Sequence, residues 1–367
     1  MSIPPVPERF FASDNAATVH PRIMEALTAA NHGHAISYGE DPITRSAIAA
    51  FKELLGPRAE PFFVYNGTAA NVLGLEAALR PYNGIICTTV AHINEDECGA
   101  PERHVGAKLL AVYASDGRLS VGQIEHFLAD QGNEHRSQPG MVSITQATEV
   151  GTVYSPAQIA EIASFCHDHG MYLHMDGARI ANATVALDRD PREITVDAGV
   201  DVLSFGGTKN GLMFGEAVVF FRPELATQFR YIRKQGMQLA SKMRYIAAQF
   251  DAYIREGLWR DNAAHANAMA KRLAAGIRSL PGVSIAYPVE ANGVFARVPS
   301  RIVEPLRALH HFYDWEKEPA GSAAGSSTVA RWMASFDTTE QDVDRFVVDL
   351  TRLLDEAENV SAPRAGQ

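Results

Sequence analysis

The feature that most constrains the fold is the alternation of short apolar segments with helical segments between residues 62 and 221. The apolar segments include residues 62–65, 84–90, 141–145 and 171–175, and each has the length of a buried strand. Buried strands that alternate with helices are typical of parallel sheets with helices on both faces. We therefore expect an α/β fold with a mostly parallel central sheet.

The C-terminal part of the chain follows a different pattern. After Pro223, long helical stretches are followed by short strands and a closing helix, which predicts a smaller α+β domain. We interpret residues 1–250 as a large domain that begins with a Pro-rich extended arm, and residues 251–358 as the small domain. The Gly- and Ser-rich residues 320–327 are expected to form a flexible loop, and residues 359–367 a disordered tail.

Composition and charge exclude several classes of protein. A net charge of -10 and a pI near 5.7 argue against nucleic acid or an anionic membrane surface as a partner. No apolar run could span a bilayer, and the N-terminus lacks the pattern of a signal peptide, so we expect a cytoplasmic protein. Cys87, Cys98 and Cys166 form no CxxC pair and are expected to be buried thiols. The loop histidines His32 and His34 match no zinc pattern, so no metal site is predicted.

Lys209 is the first candidate for a reactive side chain. It lies in Gly206-Gly-Thr-Lys-Asn-Gly211, between two apolar segments that are expected to be strands. Glycines permit a bulky planar group to approach the backbone closely, and a lysine amine forms Schiff bases with carbonyl cofactors. The alternative is a solvated lysine in a hairpin, and Lys209 by itself does not distinguish the two.

Five further candidate residues follow expected strands, where ligands bind in open α/β sheets. Gly67 and Thr68 begin a helix, whose N-terminus favours a phosphate group, although an ordinary capped helix start fits as well. His92 comes just after the strand at 84–90 and is either functional or structural. Asp176 is placed to pair with a pyridinium nitrogen, or else to cap a helix. Arg179 comes three residues after Asp176. It lies on the same side as Asp176 if a helix starts there, or else it forms a surface ion pair.

Taken in order, these stretches resemble one family. The β-eliminating lyase family, and in particular its low-specificity L-threonine aldolases and phenylserine aldolases, is similar to this chain over nearly its whole length. The most specific similarities are Ser13-Asp14-Asn15, Tyr38-Gly-Glu-Asp-Pro42, Asn66-Gly-Thr-Ala-Ala-Asn71, Ala91-His92-Ile93, His174-Met-Asp-Gly-Ala-Arg179 and Gly206-Gly-Thr-Lys-Asn210. The resemblance implies the fold of the PLP-dependent transferases (fold type I), with pyridoxal 5'-phosphate (PLP) as cofactor.

The resemblance also implies roles for individual residues. For the cofactor, these are Lys209 as the Schiff-base lysine, Asp176 beside the pyridine nitrogen, His92 stacked on the ring, Gly67 and Thr68 at the phosphate, and Arg179 nearby. For the substrate, they are Ser13, Arg179 and Arg331 at the carboxylate and Tyr38 lining the site from a neighbouring subunit. His92 is also expected to help remove the proton of the substrate β-hydroxyl group. The family implies a homo-oligomer, a tetramer or a dimer.

The chain departs from the family pattern at two places. Where the family often has Glu-Asn-Thr-His, this chain has Gln146-Ala147-Thr148-Glu149, so an acid replaces a histidine that is expected near the substrate hydroxyl. The common Gly-Gly-Met-Arg segment appears as Gln235-Gly236-Met237-Gln238, without its phosphate arginine. Lys242 or Arg244 is a candidate to replace that arginine.

The implied reaction is the retro-aldol cleavage of L-3-hydroxy amino acids (L-threonine, L-allo-threonine or phenylserine) to glycine and an aldehyde. Such a cleavage needs an acid at the pyridine nitrogen, a base near neutral pH and a planar carboxylate clamp, and Asp176, His92 and the arginines supply these. β-Elimination, racemisation and transamination by the same kind of enzyme are alternatives, because they use the same electron sink. A catalytically silent PLP-binding protein is a further alternative, of another class.

Overall fold

The computed structural model describes residues 9–316 and 327–361. Most of the predicted flexible loop at 320–327 and residues 362–367 of the predicted tail lie outside these ranges. The described residues form two compact units. The first is Thr18–Asp261, and the second joins residues 9–17 to the described residues from Asn262 onwards.

The first unit contains a seven-stranded sheet, counted over the part of the chain that the structure describes. Its strands are β1 (Glu60–Val64), β2 (Asn83–Thr88), β3 (Lys108–Val112), β4 (Gln138–Thr145), β5 (Tyr172–Gly177), β6 (Val202–Phe205) and β7 (Glu216–Phe220). Its helices are α1 (Pro21–Ala30), α2 (Pro42–Leu55), α3 (Gly67–Ala78), α4 (His92–Glu95), α5 (Ala100–His104), α6 (Val121–Glu125), α7 (Pro156–Asp168), α8 (Ile180–Leu187), α9 (Pro223–Gln235) and α10 (Arg244–Arg255).

The sheet is mostly parallel, as the sequence predicts. Its strand order is β1-β7-β6-β5-β4-β2-β3, and β7 runs in the direction opposite to the other six of these strands. The carboxyl ends of the parallel strands therefore lie along one edge of the sheet, including those of β1, β2, β4, β5 and β6. In open α/β sheets this edge is the usual place for a ligand.

Apolar side chains cover both faces of the sheet near β1 and β7. On one face the rings of Phe51, Phe63 and Phe250 pack with centroid distances of 5.2 to 5.8 Å. On the other face Phe220 and Phe229 pack 4.8 Å apart. Each fully buried aromatic ring contributes about 1.5–3 kcal/mol by leaving water. A strand that is buried on both faces has an almost continuous apolar sequence. This is why the strands could be predicted from the alternation of apolar and helical segments in the sequence.

The second unit is an α+β assembly, as predicted. Its antiparallel sheet has the order β10-β11-β9-β8. Its elements are β8 (Ser284–Ile285), β9 (Gly293–Pro299), α12 (Ser300–Leu309), β10 (Tyr313–Glu316), β11 (Ser327–Met333) and α13 (Glu340–Ser361), while α11 (Leu258–Ile277) crosses the boundary between the units. Residues 9–17 belong to this unit because Phe11 is buried against Phe346, at 4.9 Å between ring centroids, and its carbonyl accepts the Met333 N–H at 2.8 Å.

The observed division differs from the domain proposal made from the sequence. The boundary lies at Asp261 and Asn262 rather than at residue 250, and residues 9–17 of the N-terminal arm, whose residues 1–8 lie outside the described ranges, belong with the C-terminal unit. The expectation of three buried cysteines was wrong for Cys98, which is exposed, whereas Cys87 and Cys166 are buried. No helix in the described ranges is long and apolar enough to cross a membrane.

Candidate active site

Residues at the carboxyl edge of the sheet form one electrostatic cluster. His92 begins α4 after β2, Asp176 lies near the end of β5, and Lys209 follows β6. The positive charges of Lys209 and His92 both act on Asp176, and Asp176 acts in turn on His92. Three of the residues predicted from separate strand ends are therefore close together.

Asp176 is held as an anion. Its side chain is buried, and Oδ1 accepts the Ala178 N–H at 2.9 Å while Oδ2 accepts an amide hydrogen of Asn71 at 2.8 Å. Burial would raise the pKa of this carboxyl, but the positive charges of Lys209 and His92, with these hydrogen bonds, bring it below its usual value. Asp176 is thus a buried, negatively charged carboxylate that can pair with a cationic group.

His92 is oriented by a buried acid that the sequence analysis did not identify. Its Nδ1 lies 2.8 Å from Oε1 of Glu97, whose side chain is 0% exposed. The hydrogen bond to Glu97 raises the pKa of His92, against the opposing effect of burial. A carboxylate can only accept, so Nδ1 carries the hydrogen and Nε2 is the nitrogen left for proton exchange.

The facing atoms of His92, Glu97 and Asp176 lie within 4.8 Å of one another, as metal ligands would. The amide of Asn71 donates to both acids at 2.8 Å, so these oxygens are already hydrogen-bonded. The group is accordingly a hydrogen-bonded network, and we propose no metal for it.

The turn that carries Lys209 is held on both sides. Before the lysine, the Gly207 N–H donates to Oε2 of Glu216 at 2.7 Å. After it, Asn210 donates to the Tyr253 hydroxyl at 2.6 Å and to the Trp259 carbonyl at 2.9 Å. Burial raises the pKa of Glu216 to about 7. The carboxyl group of Glu216, next to the lysine turn, is therefore easily protonated. These contacts support a fixed position for the lysine backbone.

Gly206 is required by the close approach of two strand ends. A Cβ atom built at this position would lie 2.4 Å from the Ala178 carbonyl oxygen, a backbone atom in the turn that follows Asp176. A side chain of any size would therefore separate the lysine turn from the aspartate turn.

We expect Gly206→Ala to destabilise the protein by about 2 kcal/mol, because the added methyl group overpacks a backbone contact. It should also weaken PLP binding, since the Lys209 and Asp176 turns move apart. Urea unfolding and a PLP titration measure the two effects. Gly122→Ala is the matched control, because nothing lies within 4 Å of a Cβ at Gly122 in α6, and it should be neutral or slightly stabilising. Equal behaviour of the two variants would contradict the packing argument.

The helix start at Gly67 and Thr68 follows β1 at the same edge. Asn66 caps α3 by accepting the Ala69 N–H at 2.9 Å, and nothing lies within 4 Å of a Cβ built at Gly67. The first turn of a helix leaves its N–H groups without intrahelical partners and carries the positive end of the dipole. This helix start therefore has room and N–H donors for a phosphate group, and the binding of phosphate here stays a prediction.

Glu149 lies beside His92. Its Oε1 accepts the His92 backbone N–H at 2.9 Å and the Thr145 hydroxyl at 2.7 Å. Its Oε2 is buried and, among the described residues, has no hydrogen-bond partner. Burial raises the pKa of this carboxyl to about 7, so it can hold a proton near neutral pH.

Two predicted substrate residues belong to the second unit, where they lie close to each other. Nη2 of Arg331, on β11, donates to the Ala12 carbonyl at 3.2 Å, next to Ser13. The Ser13 hydroxyl accepts the Asn15 N–H at 3.2 Å and begins the short 3₁₀ helix Asp14–Ala16.

The remaining predicted residues belong to the first unit. Arg179 lies at the start of α8, directly after the aspartate turn, and is partly buried. Tyr38 is about half exposed, with its N–H bound to the Ser241 carbonyl at 2.9 Å. Arg244 donates to the Gly33 carbonyl at 3.1 Å, and with Lys242 it lines a cavity of about 310 Å³.

Sequence reasoning missed Asn71, Glu97 and Glu216. Asn71 had a usable signal, because it is a polar residue inside the otherwise apolar start of α3. Glu97 was hidden in the acidic run 95–97, where only the structure distinguishes the buried member from the exposed ones. Glu216 begins an apolar strand and gave no distinct signal.

The residue set fits PLP. The test is the donor and acceptor chemistry at this edge, where an ionised buried acid, an anchored lysine and an open helix start follow separate parallel strands. A pyridinium ring needs an anion, its aldehyde carbon needs an amine and its phosphate group needs N–H donors. All three are supplied within the first unit.

Comparison with known proteins gives the same assignment. The sequence profile of the Beta-eliminating lyase family matches residues 11–300. The chain is 42% identical to the low specificity L-threonine aldolase of Pseudomonas sp. (strain NCIMB 10558), covering 94% of this chain and 97% of that one. It is 43% identical to the enzyme of the same name from Pseudomonas aeruginosa, covering 93% and 96%.

A solved structure agrees in both fold and sequence. Leishmania major threonine aldolase superimposes with a TM-score of 0.87 at 32% identity, covering 94% of this chain and 99% of that one. With a profile match over most of its length and relatives above 40% identity, the chain belongs to the beta-eliminating lyase family.

Proposed function

We propose that the protein is a PLP-dependent aldolase that cleaves L-3-hydroxy amino acids, such as L-threonine, L-allo-threonine and phenylserine, to glycine and an aldehyde. The observation that carries the proposal is the convergence of Lys209, Asp176 and His92 at one sheet edge, in a chain 42% identical to a low specificity L-threonine aldolase. The names of its relatives support the aldol cleavage over the other reactions of the family.

The cofactor would be held by residues of the first unit. Lys209 would bind its aldehyde carbon, Asp176 would contact the pyridine nitrogen, and the start of α3 at Gly67 and Thr68 would contact the phosphate. When bound, PLP supplies an electron sink for negative charge at the substrate Cα. Because its own pKa is lowered, Asp176 is an anion at neutral pH, and an anion beside the pyridine nitrogen holds a proton on that atom.

Proton transfer at the substrate β-hydroxyl group is assigned to His92. Glu97 occupies Nδ1, so Nε2 of His92 would take the hydroxyl proton as the Cα–Cβ bond breaks. Glu149 is a second group able to exchange a proton near neutral pH, and it stands where the family pattern has a histidine. Ser13, Arg179 and Arg331 would hold the substrate carboxylate, for which a planar guanidinium is well shaped.

The proposal extends to a homo-oligomer, a dimer or tetramer, in which Tyr38 lines the site of a neighbouring subunit. An open groove of about 640 Å³, lined by Met24, Tyr65, Met213 and Phe214 among others, supports it, because apolar grooves of this kind are often covered by a partner. Sedimentation that found a fully active monomer would contradict this part. We also propose that the protein acts in the cytoplasm on small amino acids.

The direct test is an assay of both products. Purified protein supplemented with PLP is incubated with L-threonine and, separately, with L-threo-phenylserine, and the aldehyde and glycine are measured together. We expect equal amounts of aldehyde and glycine from at least one substrate. Ammonia and a keto acid instead would assign the protein to β-elimination, and PLP binding without any product would reject the aldolase assignment.

A further inference from the structure

Two buried residues connect Asp176 with His92. The side-chain amide of Asn71 donates one hydrogen to Oδ2 of Asp176 and the other to Oε1 of Glu97, each at 2.8 Å. The same oxygen of Glu97 lies 2.8 Å from Nδ1 of His92. A continuous path of three short hydrogen bonds therefore joins the two residues, and the proposed function places both of them against the cofactor.

The connecting residues are inside the protein and come from different elements. Asn71 is buried in the first half of α3, and Glu97 is buried just after α4. Their other polar atoms, Asn71 Oδ1 and Glu97 Oε2, are buried without a hydrogen-bond partner among the residues that the structure describes. Buried polar groups that are only partly satisfied are costly for stability, which argues that this pair is not present for stability alone.

We propose that Asn71 and Glu97 form a positioning pair that links Asp176 to His92, so that the orientation of each depends on the other. Glu97 holds the His92 ring in one orientation and one tautomer. Asn71 holds Glu97 and Asp176 apart at a fixed separation, because an amide nitrogen offers its two hydrogens in a rigid plane. The inference rests on the proposed function only in taking PLP as the group that these residues face.

The protonation of His92 reports on this pair. Besides Glu97, the charged groups facing His92 are Asp176 on β5, Lys209 after β6 and Glu149 after β4. The hydrogen bond that His92 donates to Glu97 has the largest influence on the pKa of His92, and it favours the protonated ring. Removing the carboxylate charge should therefore lower the pKa of His92, whereas Asn71, which is not bonded to His92, would affect it only through Glu97.

The experiment uses the full-length protein and two readouts. The first is the pKa of His92 without PLP, from NMR of histidine-labelled protein, with the resonance assigned by its loss in His92→Gln. The second is the dissociation constant of PLP. The variants are Asn71→Ala, Glu97→Gln and the double variant. Glu95→Gln is the control, because it makes the same change at an exposed position in α4.

We expect each substitution to change the readout at the far end of the hydrogen-bond path. Asn71→Ala should lower the pKa of His92, and Glu97→Gln should weaken PLP binding by about tenfold although Glu97 is not expected to touch the cofactor. The double variant should be little worse than the worse single variant, because residues that act together are not additive. Glu95→Gln should change neither readout.

Independent effects would overturn the proposal. One such result is a His92 pKa in Asn71→Ala that equals the wild-type value. Another is a PLP dissociation constant in Glu97→Gln that lies within about twofold of the wild-type value. A third is a double variant in which the effects of the two single substitutions multiply. If Asn71→Ala does not fold, Glu97→Gln decides alone through PLP binding. Wild-type protein that binds no PLP would refute the proposed function, while the His92 pKa would still test the link.

Discussion

Lys209→Ala is expected to lower kcat/KM for aldol cleavage by at least about 10⁴-fold, which corresponds to about 5.4 kcal/mol in the activation barrier. Without its ε-amino group, the variant lacks the amine that is proposed to bind the cofactor covalently. The remaining contacts, from Asp176 and the start of α3, should still bind PLP, but reversibly. Borohydride reduction should therefore attach PLP to the wild-type peptide containing residue 209 and to no peptide of the variant.

Lys52→Ala is the control for this prediction. Lys52 pairs with Glu60 at 2.7 Å on α2, outside the proposed site, so its loss should change neither the activity nor the borohydride labelling. If Lys209→Ala released aldehyde at the wild-type rate, or if the label appeared on another lysine, the assignment of Lys209 would be wrong.

Asp176→Ala is expected to lower kcat by about 10²–10³-fold, the usual loss when a preorganised charge facing the reacting system is removed. The carboxylate is already ionised and held by two hydrogen bonds, so its charge needs no reorganisation during the reaction. Its loss also removes the acceptor for the Asn71 amide and the Ala178 N–H. PLP binding should weaken for both reasons, and absorbance titration and steady-state kinetics measure the two effects.

Asp176→Asn separates charge from shape, since it keeps the size and loses the negative charge. We expect it to lose most of the activity that Asp176→Ala loses and to be slightly less stable than the wild type, because an amide has one acceptor oxygen and cannot accept from both Asn71 and the Ala178 N–H. Asp168→Asn, at an exposed position at the end of α7, is the control and should be fully active. Wild-type kcat in Asp176→Asn would show that the charge is not used.

Much of the fold was predictable because burial leaves a direct trace in the sequence. Strands covered on both faces must be apolar along their length, and a helix that covers them must follow each one. The segments at 141–145 and 171–175 were therefore recognisable, and they correspond to β4 and β5. The domain boundary was not predictable from such a pattern, because α11 is a single helix that crosses it.

The positions of the main site residues followed from topology. His92, Asp176 and Lys209 each come at or after the end of an apolar strand, and parallel strands bring their carboxyl ends to one edge. Their order along the chain and their chemical types therefore sufficed to predict a common site. The roles of these residues with PLP remain predictions that the variants above test.

The sequence by itself determined the class of fold, the family and the edge of the sheet at which the reactive residues meet, because strand order and residue type are both properties of the linear chain. Only the tertiary structure decided which polar residues support them. Asn71, Glu97 and Glu216 act through hydrogen bonds of 2.7 to 2.8 Å, two of them to residues distant in sequence. Whether a side chain is buried and which atom it faces depends on elements that are far apart in the sequence, so no local pattern specifies it.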